Sequence, residues 1–233
     1  MLPLAIVAGG LGTRLGAMGR RTPKSLLPAG GALFIDYQLA WAARQGVRRV
    51  VLCLGHRAAS IRHHVRVRAP RGMEIEFSDE GRPPRGTAAA LRLALPRLGA
   101  RFLVLYGDSY LPVRYPEVER AQRAARRPAL MVVYRNAGRY DRSNVDIRGR
   151  RVARYVPGGA GGLRWIDAGL SVLTPAALGA DPAADLPPLM ARLARSGLLA
   201  CRRTRQRFYE VGSRRGLAEF RRRAARIRAA AGW

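Results

Sequence analysis

Short apolar runs alternate with stretches of helical periodicity along the first half of the chain. Residues 4–8 are all apolar and lead into two glycines, which predicts a buried strand followed by a loop. Apolar residues then recur at helical spacing over residues 33–45, and Gly46 provides a natural end for that helix. Further strands are predicted at 47–54, 73–77 and 102–106, helices at 58–67 and 87–95, and a loop at 78–86.

The second half of the chain is less regular. A strand is predicted at 129–134, a hairpin at 144–147 and 151–156, a loop at 157–162, a strand at 165–173, and helices at 187–196 and 214–231. No internal repeat or long linker interrupts the sequence. Alternation of strands and helices predicts an α/β protein of one domain, residues 1–233, with a three-layer Rossmann-like fold and a mainly parallel mixed sheet.

The composition is that of a globular protein. The chain has 233 residues, of which 48% are hydrophobic, enough for one α/β domain with a full core. No apolar run approaches the roughly 20 residues of a membrane helix, and no basic segment precedes the apolar N-terminus as in a signal peptide. We therefore expect a cytoplasmic protein with no membrane partner. Cys53 and Cys201 lie far apart without metal or redox spacing and are interpreted as reduced thiols.

The net charge of +28 is the most unusual property of the sequence. Such a charge is typical of proteins that bind nucleic acid or anionic surfaces. All but one of the 43 basic residues are arginine, however, and they are scattered along the chain, as codon bias would produce. Only residues 214–228 concentrate them on a predicted helix. The pattern favours solvated surface over a nucleic-acid interface, which stays open as an alternative.

A glycine-rich segment follows the first predicted strand. It reads Gly-Gly-x-Gly-Thr-Arg-Leu, with Arg14 inside it, and Thr-Pro-Lys ends at Lys24, the single lysine of the chain. Glycines let backbone N–H groups approach an anion, and the two cations can neutralise phosphate oxygens. The P-loop and dinucleotide patterns do not fit, because the first needs a lysine directly after its last glycine and the second needs a third glycine. A plain structural turn is the alternative.

Four later segments extend this pattern. They are Gly86-Thr-Ala-Ala-Ala-Leu, Tyr106-Gly-Asp-Ser, Ile166-Asp-Ala-Gly-Leu and Tyr209-Glu-Val-Gly-Ser. Together with the glycine loop, and in this order, they resemble the signature segments of the sugar-1-phosphate nucleotidyltransferases. The length and the Tyr106 segment look most like the small heptose 1-phosphate and N-acetylmuramate 1-phosphate enzymes. The resemblance spans residues 2 to about 220 and implies a nucleotide-binding half of about 1–110 and a sugar-binding half of about 111–233.

The resemblance implies a reaction between an NTP and a sugar 1-phosphate that yields an NDP-sugar and pyrophosphate, with Mg²⁺ as cofactor. The resemblance also implies that the reaction supplies NDP-sugars for cell-surface polysaccharide or cell-wall precursors. Positioning and charge neutralisation carry such chemistry. The expected catalytic residues are Arg14, Lys24 and Asp108. The residues expected to frame the nucleotide are Ala8, Gly9, Gly10, Gly12, Thr13, Gly86 and Thr87.

Two carboxylates are the candidate metal ligands. Asp108 follows an apolar strand, at the end where open α/β sheets bind ligands, although an Asp after a glycine can also cap a turn. Glu210 is a candidate by resemblance, where the family usually has Asp. Its alternative is a surface carboxylate paired with Arg207 or Arg214.

The sugar side is less well defined. Asp167 is a candidate acceptor for sugar hydroxyls and Asn144 a weaker one, and both residues can instead form turns or strand starts. Related enzymes often carry a lysine before the flexible loop that contacts the sugar phosphate, and this chain has none there. Arg154 or Arg164 is the expected substitute. A protein of this fold that binds nucleotide or sugar phosphate without catalysis is therefore a second hypothesis. Base, sugar and oligomeric state, including a homo-oligomer, are not determined by the sequence.

Overall fold

The computed structural model describes residues 1–81, 85–179 and 183–231, and within them the chain forms a nine-stranded sheet, two small ladders and eight α-helices. The strands are β1 (Leu4–Val7), β2 (Pro28–Ala29), β3 (Ala32–Leu33), β4 (Arg49–Leu54), β5 (Glu74–Asp79), β6 (Phe102–Tyr106), β7 (Ser109–Tyr110), β8 (Ala129–Arg135), β9 (Val145–Arg148), β10 (Arg151–Tyr155), β11 (Trp165–Leu173), β12 (Leu199–Thr204) and β13 (Tyr209–Glu210). The helices are α1 (Ala17–Arg21), α2 (Phe34–Arg44), α3 (Ala58–Arg68), α4 (Thr87–Leu98), α5 (Tyr115–Ala125), α6 (Pro175–Leu178), α7 (Leu186–Arg195) and α8 (Arg214–Ala231).

The main sheet has the strand order β5-β4-β1-β6-β11-β8-β12-β10-β9. The first four strands in this order are parallel, as are β8 and β12, whereas β11 is antiparallel to both of its neighbours. Trp165 of β11 also pairs with Val145 of β9, so this end of the sheet curls back and closes partly on itself.

The α/β class and the mixed sheet are confirmed. The expectation of a mainly parallel sheet holds for the first half of the chain only. The second half adds antiparallel pairs, since β11 runs antiparallel to β6 and β8. The strands β9 and β10 are joined by a tight turn at Gly149 and Arg150, which only an antiparallel pair can use.

Helices cover both faces of the sheet. Within β1, Ala5 and Val7 pack into a core with α4 and α7, while Leu4 and Ile6 point to the other face and pack with α2, α3 and α5. Side chains on both faces of β1 are therefore buried, which explains why its sequence is uniformly apolar rather than alternating.

A third cluster attaches the C-terminal helix beside the glycine loop. Phe220 of α8 makes edge-to-face contacts with Phe34 and Tyr37 of α2, with ring centroids 4.9 and 5.0 Å apart. Leu15 and Val211, which flank the candidate site residues Arg14 and Glu210, are buried in the same cluster. Aromatic pairs of this kind contribute roughly 0.5–1.5 kcal/mol each beyond their buried area, so α8 stabilises the loops of the site.

Most predicted elements are confirmed within one to three residues at each end. The predicted loop at 78–86 begins later, because β5 runs to Asp79, and its residues 82–84 lie outside the described part. Helix α5 and strand β12 were not predicted. Arginines and other polar residues interrupt the apolar pattern of both, and tertiary packing decides their conformation. Cys53 and Cys201 are buried free thiols, and each described helix is too short or too polar to cross a bilayer.

Candidate active site

The glycine loop leaves β1 and folds back on itself. Gly12 adopts a left-handed backbone with φ of 69°, and a Cβ on Gly19 would lie 2.1 Å from the carbonyl oxygen of Gly12. A Cβ on Gly9 would lie 2.3 Å from the Glu80 carboxylate. At Gly19 only glycine fits, because two backbone segments approach so closely there. The loop therefore packs compactly, and it places Arg14 and Lys24 beside the ends of the central strands.

Lys24 pairs with Asp108. Asp108 follows β6, which lies next to β1 in the sheet, and the Gly107 N–H donates to the Val7 carbonyl at 2.9 Å. The Lys24 ammonium lies 2.6 Å from Asp108 Oδ2, and both side chains are mostly shielded from solvent. Asp108 thus lies at the carboxyl end of a buried strand, as predicted, and faces the cation of the glycine loop.

Glu210 is brought to the same place by a short ladder. Strand β13 pairs with β7, so Glu210 lies opposite Ser109, and the Val211 N–H donates to the Asp108 carbonyl at 2.8 Å. The Glu210 carboxylate accepts a 2.8 Å hydrogen bond from Arg14. The alternative in which Glu210 pairs with Arg207 or Arg214 is wrong.

The proposed partner Arg207 is engaged elsewhere. It donates to both carboxylate oxygens of Glu219, at 2.9 and 3.0 Å, and its guanidinium stacks on Tyr140 at 3.4 Å from the ring centroid. Arg14 and Glu210 are far apart in sequence, so their pairing could not be predicted from the sequence. Arg207 is close to Glu210 in sequence but does not pair with it.

The two charge pairs converge on Gly212. A Cβ at this residue would lie 2.8 Å from Glu210 Oε1, 2.9 Å from Arg14 and 3.0 Å from Asp108 Oδ2. The two carboxylates are therefore close neighbours. Burial and the Asp108 charge raise the pKa of Glu210, although Arg14 acts in the opposite direction. Two carboxylates held together in this way favour a bound cation.

The carboxylate pair fits Mg²⁺. This ion uses oxygen ligands and is usually held by one or two carboxylates, with substrate phosphates and water completing its shell. Among the described residues, no group of three or more His, Cys, Asp or Glu side chains is placed to hold a metal ion. The arrangement therefore suits an ion that arrives with a phosphorylated substrate rather than one held by the protein alone.

A cleft of about 390 Å³ opens beside these residues. The predicted site residues that line it are Ala8, Gly10, Arg14, Lys24, Thr87, Asp108, Asn144, Asp167 and Glu210. Residues of both halves of the chain thus meet in one place. Such a cleft, at the carboxyl ends of parallel strands, is where α/β proteins bind their ligands.

The remaining four predicted residues are not among the described residues that line the cleft. Gly9 and Gly12 allow the close packing of the loop, and Thr13 begins the 3-10 turn that carries Arg14. Gly86 has a φ of 98°, and a Cβ there would lie 2.6 Å from the Ala184 carbonyl. These four residues therefore shape the backbone of the loops that form the cleft.

Asp167 and Asn144 are linked at the opposite wall. The Asn144 side-chain oxygen accepts from the Asp167 N–H at 2.9 Å, and Asp167 Oδ1 accepts from the Gly169 N–H at 2.9 Å. Burial raises the pKa of Asp167 to about 6, although the Gly169 hydrogen bond lowers it. Asp167 lies within β11 rather than in the turn considered as its alternative role, and its side chain lines the cleft.

Sequence reasoning missed Arg142. The expected substitutes for the absent lysine were Arg154 and Arg164, but of these three arginines only Arg142 is among the described residues that line the cleft. The glycine-rich loop packs on it, since a Cβ on Gly159 would lie 2.7 Å from Arg142 Cβ. Arg142 lies two residues before Asn144 in sequence, and this proximity to a predicted sugar-side residue could have identified it.

The family model described as nucleotidyl transferase matches residues 4–141. This range contains the glycine loop, Lys24, Thr87 and Asp108, and it ends before Asn144.

Two curated relatives are similar over part of their length. D-glycero-alpha-D-manno-heptose 1-phosphate guanylyltransferase from Campylobacter jejuni is 28% identical over 108 residues, which are 46% of this chain and 48% of the relative. Glucose-1-phosphate thymidylyltransferase from Streptomyces antibioticus is 30% identical over 129 residues, 55% of this chain and 36% of the relative. The chain thus matches about half of the first relative and about a third of the second.

Among solved structures, HddC from Yersinia pseudotuberculosis has the same fold. It superposes with a TM-score of 0.82 at 23% identity, over 96% of this chain and all of HddC. The complex of HddC with GMP-PN superposes with a TM-score of 0.81. At this identity the similarity concerns the fold.

Proposed function

Because the chain belongs to the nucleotidyl transferase family, we propose that it transfers a nucleotidyl group from an NTP to a sugar 1-phosphate. The observation that carries this proposal is the convergence of Lys24, Asp108, Arg14 and Glu210 at one end of the cleft. Two cations, each paired with a carboxylate, are the groups that a metal-bound triphosphate requires. The cations neutralise phosphate oxygens and the carboxylates hold the metal.

In the proposed reaction, a phosphate oxygen of the sugar 1-phosphate attacks the α-phosphorus of the NTP. The new P–O bond forms while the bond from the α-phosphorus to the oxygen that bridges to the β-phosphorus breaks. Pyrophosphate leaves with that electron pair. The nucleophile is already an anion, so no side chain needs to remove a proton. Catalysis then rests on alignment and charge neutralisation.

The glycine loop supplies the positive charge for this reaction. Arg14 and Lys24 project toward the cleft from two short 3-10 turns. Without substrate each cation pairs with a carboxylate. When an NTP binds, the cations exchange these carboxylates for triphosphate oxygens and later neutralise the leaving pyrophosphate. This exchange keeps both cations paired throughout the reaction.

Asp108 and Glu210 would hold Mg²⁺ once their cations turn to the phosphates. A bound Mg²⁺ supplies positive charge to phosphate oxygens and lowers the repulsion between the two anionic substrates. The longer side chain of Glu210, compared with the Asp usual in the family, reaches the same region because β13 is held to β7.

The opposite wall of the cleft would bind the sugar phosphate. Asp167 and Asn144 offer polar atoms to sugar hydroxyls, and Arg142 offers the cation that Arg154 and Arg164 do not bring to the cleft. An arginine fork binds two phosphate oxygens at once, so Arg142 is suited to the role of the missing lysine.

The covered sheet faces support a three-layer, Rossmann-like arrangement for this enzyme, with residues 1–110 mainly on the nucleotide side. An NTP substrate and an NDP-sugar product imply a cytoplasmic role in the supply of precursors for cell-surface polysaccharide or cell wall.

Pyrophosphate release tests the proposal. The purified protein is incubated with Mg²⁺ and each of four NTPs against heptose, mannose, glucose and N-acetylmuramate 1-phosphates. The panel starts with GTP, because one relative is named a guanylyltransferase and HddC was solved with GMP-PN. A productive pair whose turnover is lost in Lys24→Ala and in Asp108→Asn supports the proposal.

Nucleotide binding without turnover across a full panel of sugar 1-phosphates would instead support the noncatalytic binding protein. Binding is measured by calorimetry on the same preparation, so that a misfolded sample is not read as an inactive enzyme.

A further inference from the structure

A second cavity, of about 1000 Å³, lies between α5, the turn of the β9–β10 hairpin and β12. Seven of its thirteen described lining residues are arginine, in a chain with 43 basic residues among 233. We call this cavity the arginine groove. Its arginines are Arg120, Arg127, Arg148, Arg150, Arg151, Arg202 and Arg203.

The groove has almost no compensating negative charge. Glu117 is the acidic residue among its described lining residues, and its carboxylate already pairs with Arg202 and lies 3.6 Å from Arg114. Arg127 donates to the Gly197 carbonyl, and the Arg151 guanidinium lies 3.8 Å from the position of a Cβ on that same glycine. Two guanidinium groups thus lie beside the same glycine.

Other arginines of the groove have no ion partner in the described part of the chain. These are Arg120, Arg127, Arg148, Arg150, Arg151 and Arg203, of which Arg127 and Arg203 donate to backbone carbonyls. Solvated arginines on a convex surface point apart, whereas these share a concave surface. Like charges held around one cavity repel each other, and an anion that enters the cavity relieves this repulsion.

The walls of the groove are fixed by the backbone. The Cys201 N–H donates to the Arg150 carbonyl at 2.8 Å, and Arg203 donates to the Gly149 carbonyl at 3.2 Å. These bonds hold the hairpin turn against β12. Beside Glu117 and Arg120, helix α5 contributes three small residues, Ala121, Ala124 and Ala125, which leave the cavity open.

The groove is separate from the catalytic cleft. Cys201 pairs with Met131 in mid-sheet, and Ala129, two residues after the groove residue Arg127, pairs with Leu173. Leu173 in turn pairs with Phe102, the first residue of β6. The cleft follows the last residue of β6, so the groove and the cleft lie toward opposite ends of this strand. The described linings of the two cavities share no residue.

We propose that the arginine groove binds a polyphosphate anion, at a site independent of the catalytic cleft. Guanidinium groups match phosphate oxygens two at a time, and several unpaired ones around one cavity favour an anion with several phosphates over a single carboxylate. The phosphate chain is the recognised feature, and it can belong to inorganic polyphosphate or to a nucleotide.

Calorimetric titration of the full chain with tripolyphosphate tests the site. The catalytic cleft is proposed to bind phosphates as well, so the titrations use the Lys24→Ala background. In that background we expect tripolyphosphate binding whose affinity falls at least about tenfold in Arg148→Gln/Arg151→Gln, because each charge-assisted hydrogen bond contributes about that factor or more.

The matched control is Arg222→Gln/Arg223→Gln. These two arginines of α8 are exposed, like Arg148 and Arg151, and they lie outside the described lining of the groove. The control removes the same charge and should change the affinity less than about twofold. Thermal melts check that all variants fold. An equal loss in both double variants, or no binding in the Lys24→Ala protein, would overturn the proposal.

A parallel titration with ATP distinguishes the two sources of the phosphate chain. Tighter binding of ATP than of tripolyphosphate, with the same dependence on Arg148 and Arg151, assigns the groove to nucleotides. Equal binding assigns it to the phosphate chain alone.

Discussion

The Lys24 ammonium and the Asp108 carboxylate lie 2.6 Å apart although 84 residues separate them in sequence. The pair joins the two halves of the proposed phosphate chemistry, in which the cation binds the triphosphate and the carboxylate holds the metal. Local structure does not bring the two residues together, because Lys24 follows β1 and Asp108 follows β6. These strands are adjacent only in the folded sheet.

Replacement of Lys24 by alanine should lower kcat by roughly 10²–10³, as the loss of one preorganised charge does in other active sites. Lys24→Arg keeps the charge but puts a wide planar fork where a compact ammonium fits between the loop and Asp108. We expect it to recover less than about a tenth of the activity. Steady-state pyrophosphate release is the measurement, and full activity of the arginine variant would show that charge alone suffices.

Glu210 should act through the metal. In Glu210→Gln the charge that helps hold Mg²⁺ is lost, so the Mg²⁺ concentration needed for half-maximal activity should rise about tenfold or more. Glu210→Asp restores the charge on a shorter side chain and should give an intermediate value. The activity is measured as a function of Mg²⁺ at saturating substrates. An unchanged Mg²⁺ requirement in the glutamine variant would remove Glu210 from the metal site.

Gly212→Ala should reduce activity while leaving the fold intact. The added Cβ would lie 3.0 Å or less from Glu210, Arg14 and Asp108, so the charged groups must move apart. A loss of tenfold or more in kcat is expected, since small displacements of catalytic groups are costly.

Gly161→Ala is the matched control, because open space surrounds a Cβ at that position. Its kcat and melting temperature should equal those of the parent protein. Similar activity loss in both variants would show that the effect is not specific to the charge cluster.

Arg142→Ala should raise KM for the sugar 1-phosphate about tenfold or more and leave KM for the NTP nearly unchanged, because Arg142 lies on the wall with Asp167 and Asn144. Arg154→Ala serves as the control and should leave both KM values unchanged. Two-substrate kinetics separates the effects. A rise in KM for the NTP alone would place Arg142 on the nucleotide side.

Asp167 provides a prediction on stability against pH. Burial raises its pKa to about 6 in the folded protein, above the ordinary value of 3.8. The folded state therefore binds the proton more tightly than the unfolded state. The stability linked to this proton is fully present below pH 3.8 and is lost as the pH rises through about 6.

The variant Asp167→Asn carries no charge at any pH and can still accept the Gly169 hydrogen bond. At pH 8 it should exceed the parent protein in unfolding free energy by about 1 kcal/mol, a value discounted for the solvent that reaches the cleft. The difference should fade below about pH 5. Urea denaturation at pH 4 and pH 8, without metal, measures it, and a constant difference would contradict a raised pKa.

The order of elements in the first half of the chain was readable from sequence because local patterns decide it. Residues 4–8 are apolar without alternation, since β1 is buried on both faces, and Gly46 ends α2 where expected. Helix α5 and strand β12 were missed, because polar side chains occupy much of their surface and packing against β8 decides their conformation.

Local patterns also allowed part of the candidate site to be predicted from the sequence. Arg14, Lys24 and Asp108 belong to compact motifs, in which residue type and short spacing carry the chemical information. The partners of these residues come from strand adjacency, which short spacing does not encode. Glu210 pairs with Arg14 rather than with its sequence neighbours, and Arg142 reaches the cleft where Arg154 and Arg164 do not.

The sequence by itself therefore determined the α/β class, the glycine loop and the types of charged group that line the cleft. Only the tertiary structure decided which charges pair, how the sheet curls at β9 and β11, and that seven scattered arginines surround one groove. The physical reason is that periodicity and turn chemistry act over a few residues, whereas charge pairing and concavity depend on distances between segments that only the packed core brings together.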